Sequence, residues 1–344
     1  VLVLRSPDIT GSGLKFLSNA PLTAVDFTES GATDEGLESI TAFRQIESIE
    51  LGNTGVTDAG LRHLAGLKEL RSLSLRGTAI TDAGLTHLQD LTALESLTLA
   101  STAATGSGLK DHAGASLTTI NFRDSGVTDA GLASIAGFQK LELIFLDRTG
   151  VTGAGLRHLA GMKSLEQLSL QSTAITDEGV SHLRALSAMK FLNLALTDVS
   201  GVGELSELRN LVVLDLSETR VNDGGLAGLG ALPNLEMLFL PKTDVLGPGL
   251  AGFKDAKKLW LLDLNDTRVN DAGLAPLAEL PLLTHLKLSS TRITDASLDR
   301  FARAGRLTFL NIYGTNVTAD GIRRLGALQG LTELYAGGTA ADDL

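Results

Sequence analysis

The stretch "LRGTAITDAGL", Leu75–Leu85, sets Thr78, Thr81 and Asp82 beside Gly84, and in isolation it has the make-up of a polar site. Near copies run down the chain: "LGNTGVTDAGL" from Leu51, "LQSTAITDEGV" from Leu170, "LSETRVNDGGL" from Leu216 and "LNDTRVNDAGL" from Leu264. Aligning the leucine that opens each L-x-x-L-x-L puts Leu22, Ile46, Leu70, Leu94, Leu117, Leu141, Leu165, Met189, Leu211, Leu235, Leu259, Leu283, Leu307 and Leu331 in one column. The step is 24 residues, shortened to 23 between Leu94 and Leu117 and to 22 between Met189 and Leu211. A truncated unit with Leu2, Leu4, Ile9 and Leu14 precedes them, which makes fifteen units. A fixed period in the twenties signals stacked repeats rather than a site.

Elementary patterning says how one unit folds. The "xLxLx" segment alternates, so its leucines face one side and the intervening residues the other, as in a short strand. "GLxxLxxL" spaces apolar residues three apart, which reads as a helical segment with one apolar stripe. Neither element can bury its apolar side alone; stacking neighbours buries a continuous core. Equivalent residues of adjacent units then lie about 4.8 Å apart, the interstrand spacing.

The shared frame L-x-x-L-x-L-x-x-T-x-(I/V)-(T/N)-D-A-G-L-x-x-L resembles that of bacterial leucine-rich repeat proteins with "TDAGLxxL" repeats. It is similar to the cysteine-containing, F-box-associated subclass, with threonine where that subclass carries cysteine or asparagine. No F-box-like helical module accompanies the repeats in this chain. The resemblance implies an α/β leucine-rich repeat solenoid of about 15 units, a curved right-handed superhelix with a parallel sheet on the concave face and short helices on the convex face. It also implies a single domain over residues 1–344 that binds partners through its curved face.

Composition narrows the function classes. With 29 Lys and Arg against 40 Asp and Glu, the formal charge is −11, which argues against nucleic acid or an anionic membrane surface as a partner. The absence of cysteine removes disulfides, thiolate metal sites and a cysteine nucleophile. No apolar run approaches the ~18 residues that suggest a membrane span, so no membrane insertion is expected. The chain opens on "VLVLRS", and we expect an N-terminal cap to be missing before residue 1, since an uncapped solenoid exposes core and a strand edge. The polar tail "GGTAADDL" is expected to fray. Compartment and oligomeric state are not encoded in these features.

Several ladders imitate chemistry. Thr54, Thr78, Thr102, Thr149, Thr173, Thr197, Thr219, Thr243, Thr267, Thr291, Thr315 and Thr339, with Ser30 and Ser125 in register, fall at the turn leaving each strand. A hydroxyl there is expected to donate to a backbone carbonyl. Asp34, Asp58, Asp82, Asp129, Asp177, Asp223, Asp271 and Asp295 precede the helical segments, where aspartate is a preferred N-cap and suits the positive end of the helix. The rival reading, a calcium ladder, is disfavoured because Gly11, Gly106, Gly153, Gly247 and Ala319 interrupt it. The pairs His63/His87 and His158/His182 recur at one helix position, with too few ligands for a metal. His285, Asp263 and Ser289 share the strand face, but no strained elbow or pocket is apparent for a nucleophilic serine. We therefore expect no catalytic residue, no metal and no cofactor.

Information remains in the outward strand positions that the frame leaves free. Through Thr119 and Asn121 these are small and polar; from Leu143 onward they turn apolar and aromatic. The expected partner-binding set is Leu143, Phe145, Phe191, Asn193, Asp215, Met237, Phe239, Leu261, Asp263, His285, Phe309, Tyr313 and Tyr335. Aspartates among the aromatics favour a protein or peptide with basic residues around an apolar patch. The expected function is a protein–protein interaction module binding through the C-terminal two-thirds of the concave strand face. The alternative is a sensor or targeting arm of a larger multidomain bacterial effector or surface protein; a hydrolase is the least favoured. Both short units lose residues on the helical side, so the sheet is expected to run through them. Pro248 takes a first-turn position where proline is tolerated.

Overall fold

The computed structural model describes residues 1–112 and 116–341. The chain divides into two compact units, Val1–Ser169 and Leu170–Leu344. In the first unit the strands are β1 (Leu2–Val3), β2 (Ala24–Asp26), β3 (Ser48–Glu50), β4 (Ser72–Ser74), β5 (Ser96–Thr98), β6 (Thr119–Asn121), β7 (Leu143–Phe145) and β8 (Gln167–Ser169). Those of the second are β9 (Phe191–Asn193), β10 (Val213–Asp215), β11 (Met237–Phe239), β12 (Leu261–Asp263), β13 (His285–Lys287), β14 (Phe309–Asn311) and β15 (Glu333–Tyr335). Within each unit successive strands pair in parallel, one full repeat apart. Each unit is a stretch of α/β leucine-rich repeat solenoid, and the fifteen strands match the fifteen repeats of the sequence.

Alternation puts the middle residue of each strand inward. Ile49, Leu73 and Ile144 in the first unit, and Leu192, Leu238 and Leu286 in the second, are at most 1% exposed. The helical side follows the three-residue spacing. Asp58–Leu61 forms one α-turn and Arg62–Leu64 a 3₁₀ turn, and Leu61, Leu64 and Leu67 are fully buried beneath them. Burying each such leucine contributes about 1.5–3 kcal/mol, which is what holds elements too short to persist alone. Among the described residues the α-helices are four to seven residues long except Asp295–Ala304, which has ten and ends on Gly305 at φ 70°.

The threonine ladder behaves as expected from Thr54 to Thr315, whereas Thr339 accepts from the Ala341 amide. The hydroxyls of Thr54, Thr102, Thr243 and Thr315 each donate to the carbonyl three residues earlier at 2.7 Å. The serines in register differ: Ser30 and Ser125 accept instead, from the amides of Ala32 and Val127. Immediately before each such threonine the backbone is left-handed, as at Asn53, Ser101, Leu196, Lys242 and Asp266. Gly77 and Gly314 adopt that conformation without a Cβ penalty.

The aspartates are not the N-caps. Thr57 and Thr81 take that position, in extended conformation, and Asp58 and Asp82 are the first helical residues. Each carboxylate reaches the next repeat instead. Asp58 accepts from the Thr81 amide at 2.8 Å and from its hydroxyl at 2.6 Å, and Asp34, Asp129 and Asp295 hold Thr57, Thr152 and Thr318 in the same way. Favourable charge at the helix start survives, but the hydrogen bonds are spent between repeats.

The sheet runs through both short repeats, with Ser96 opposite Thr119 and Phe191 opposite Val213. Part of the first shortening, at 113–115, lies outside the described residues, as does 342–344 of the polar tail. Pro248 opens the 3₁₀ segment Pro248–Asp255 at its first position.

Candidate functional site

Register brings the second unit's outward residues into two columns. Phe191, Val213, Met237, Leu261, His285, Phe309 and Glu333 form the first, and Asn193, Asp215, Phe239, Asp263, Lys287, Asn311 and Tyr335 the second. Along β12 to β15 an aromatic row runs through His285 and Phe309 of the first column. Trp260 meets His285 edge-on at 5.1 Å between ring centroids; His285 stacks on Phe309 at 5.7 Å, their planes 5° apart; Phe309 meets Tyr335 at 5.5 Å. Each such pair contributes about 0.5–1.5 kcal/mol beyond area burial, so the row is a preorganised surface. Tyr335 and Tyr313 are 52% and 55% exposed.

Trp260 is absent from the expected set. It precedes the first outward position, in a column otherwise filled by residues such as Glu236 and Thr284. That it is the chain's single tryptophan was the available signal.

Two expected contact residues are covered. Leu261 is 8% exposed and Asp263 6%. Leu261 is flanked in register by Met237 and His285 and has Trp260 beside it in sequence, so larger neighbours overhang it. Asp263 accepts from the Asn265 amide and from Lys287 Nζ, both at 3.1 Å. The other polar residues of the second column serve the turn leaving the strand. Asn193 accepts from the Ala195 amide at 2.8 Å, Asp215 from that of Ser217 at 2.9 Å and Asn311 from that of Tyr313 at 3.0 Å. Side-chain acceptors two residues before the amide make these Asx turns. Asn193, Asp215 and Asp263 are thus committed to the frame, and Phe191, Met237, Phe239, His285, Phe309, Tyr313 and Tyr335 retain accessible surface.

Charge on this face is mostly paired. Lys242 holds Glu218 at 3.1 Å as Lys287 holds Asp263. Among the described residues the carboxylates of Glu236 and Asp266 have no partner, so the uncommitted charge beside the aromatic row is negative.

Leu143 and Phe145 belong to the first unit and are half-buried. The Arg123 guanidinium lies over the Phe145 ring at 4.4 Å, an internal cation–π contact, while also pairing with the buried Asp147. Thr98, Thr119 and Asn121 continue that unit's polar outward columns.

No relay joins His285, Asp263 and Ser289 among the described residues. His285 Nδ1 meets Thr284 Oγ1 at 2.9 Å, Asp263 is held by Lys287, and the Ser289 amide donates to Asn265. His63 and His158 each accept from the preceding arginine, Arg62 and Arg157. Among the described residues no group of three or more His, Asp or Glu is arranged to hold a metal, and no helix is long and apolar enough to cross a membrane.

A leucine-rich repeat family model matches at residues 68–88, 115–136, 161–183, 207–230 and 279–302. With the fold, these matches identify the stacked units as leucine-rich repeats. In structure it is similar to an internalin from Listeria monocytogenes, with a TM-score of 0.79 at 19% identity over 95% of both chains. It is also similar to a leucine-rich repeat protein of Leptospira interrogans, at 0.63 and 16% identity over 96% of this chain and 95% of that one. A chain of the mouse RP105/MD-1 complex matches at 0.59 and 18% identity, over 94% and 68%. At such identities the likeness establishes the fold. No curated protein matches in sequence.

Proposed function

We propose that this chain is a protein-recognition module whose strand face in the second unit binds a protein or peptide. The aromatic row Trp260–His285–Phe309–Tyr335 carries the reading. Rigid rings held by one another lose little conformational entropy on binding, which suits them as anchors. Glu236 and Asp266 beside the row favour a partner with basic residues around an apolar patch, and the formal charge of −11 disfavours nucleic acid. The chain of the mouse complex gives a same-fold precedent for partnering another protein.

The test is site-specific photocrosslinking in lysate of the source cells, with the crosslinker at Tyr335 or Tyr313 and, as control, at the helix-side Arg323. One protein adduct is expected at both tyrosines and absent at Arg323. The pair Phe191→Asp and Phe239→Asp should abolish it in a chain that still folds. Equal labelling at Arg323, or an adduct unaffected by the double substitution, overturns the assignment.

A further inference from the structure

The helix side of the second unit contains an open cleft beside a helical segment that lacks one leucine of the frame. Leu67, Leu91, Leu186, Leu232 and Leu280 fill the third apolar position of their helical segments and are at most 2% exposed. In the repeat of helix Asp295–Ala304 that position is Ala304, which is only half-buried. Ala304 lies in the lining of an open cleft of about 650 Å³ against the segment Ala275–Glu279, with Ala275, Ala278 and Ala296 also lining it. That size suits a small-molecule ligand.

Its rim is cationic in an acidic chain. Arg300 and Arg303 lie one turn apart on the helix, and Arg306 follows the Gly305 cap. Among the described residues neither Arg300 nor Arg303 has a hydrogen bond or ion pair, and Arg306 donates only to the Ala278 carbonyl at 3.4 Å. Two acids also line the cleft, but Asp299 is already taken by Arg324 from the next repeat. Glu279 alone offsets the three arginines, which leaves a surplus of two positive charges.

We infer that this cleft binds a small phosphate-bearing ligand. A phosphate ester or pyrophosphate supplies the matching negative charge. Its tetrahedral oxygens accept the forked donors of several guanidiniums at once, and the alanine lining seats a compact apolar body. The cleft lies on helical segments, apart from the strand face proposed for the protein partner.

The experiment is titration calorimetry of the full chain with sodium pyrophosphate, and with citrate as a carboxylate control. Arg300→Ala with Arg303→Ala should weaken pyrophosphate binding by about tenfold or more, the scale of lost charge-assisted hydrogen bonds. Ala304→Leu keeps every charge, restores the residue other repeats use, and should weaken binding as much by filling the cleft. Arg62→Ala, a helix-side arginine of the first unit, should change nothing. Binding of normal strength in Ala304→Leu, equal loss in Arg62→Ala, no binding by the unaltered chain, or citrate bound as tightly as pyrophosphate each overturns the inference.

Discussion

Asp58 and Thr81 are joined across the boundary between two repeats, with one carboxylate oxygen on the Thr81 amide and the other on its hydroxyl. Gly84 completes the arrangement, since a Cβ there would lie 2.3 Å from Asp58 Oδ1. The T-D-A-G string is therefore a lock: threonine receives the previous aspartate, aspartate engages the next threonine, and glycine leaves room for the carboxylate. Where serine replaces that glycine, at Ser297, its amide and hydroxyl both donate to Asp271.

Asp58→Ala should cost about 1.5–3 kcal/mol, because two charge-assisted bonds go and the Thr81 groups are left unpaired. Gly84→Ala should cost a comparable amount in the native background and clearly less once Asp58 is alanine. Chemical denaturation of the four proteins of this cycle measures the coupling; additive costs would show that the glycine serves some other purpose.

The same lock makes the fold acid-labile. Burial pushes the Asp271 carboxyl up, but donors from Ser297 and Thr294 outweigh it and hold the group below its usual range; Asp177, held by Gly201 and Ser200, behaves alike. A depressed folded-state pKa means stability present above the ordinary value of 3.8 and lost as pH falls through the folded one. Thermal midpoints should thus drop steeply below about pH 4, and less steeply in Asp271→Asn than in the native chain.

His112 occupies a position filled by Leu64 and Leu88 in preceding repeats and is 2% exposed, and among the described residues neither ring nitrogen has a hydrogen-bond partner. Burial lowers its pKa, against a smaller opposing pull from the Leu85 and Leu109 carbonyls and from Asp111. The neutral ring is the folded form, so stability is complete above the ordinary value of 6.5 and declines as pH falls below it. His112→Leu should raise the thermal midpoint at pH 7 and flatten its pH dependence below about 6.5. An unchanged profile would show that the imidazole is not buried neutral.

Leu196 holds φ 58° at an exposed strand-exit turn where the other repeats use glycine or a polar or charged residue. A branched apolar side chain in the left-handed region costs about 1–2 kcal/mol, which asparagine largely relieves. Leu196→Asn should stabilise the chain by about 0.5–1 kcal/mol in a denaturant titration. A loss instead would mean that Leu196 contributes more through packing than its exposure suggests.

Much of this was legible beforehand, and for a definite reason. The 24-residue period, the strand positions and the outward columns follow from alternation and three-residue spacing, which are properties of each segment by itself. Thr54 and its equivalents were readable as turn donors because donor and acceptor lie three residues apart. In the sequence the aspartates resemble caps because their partners lie 23 residues away, and the turn bonds of Asn193, Asp215 and Asp263 show only in the structure.

By itself the sequence determined the repeat, its register and which residues line each face. Only the tertiary structure decided how those side chains are used. It sets Asp58 on Thr81, covers Leu261 and Asp263, stacks His285 on Phe309 with Trp260 at its edge, and opens a cleft beside Ala304. A repeat makes the backbone periodic because each unit carries the same local preferences. A side chain's partners, however, stand one period away, where the sequence is free to differ.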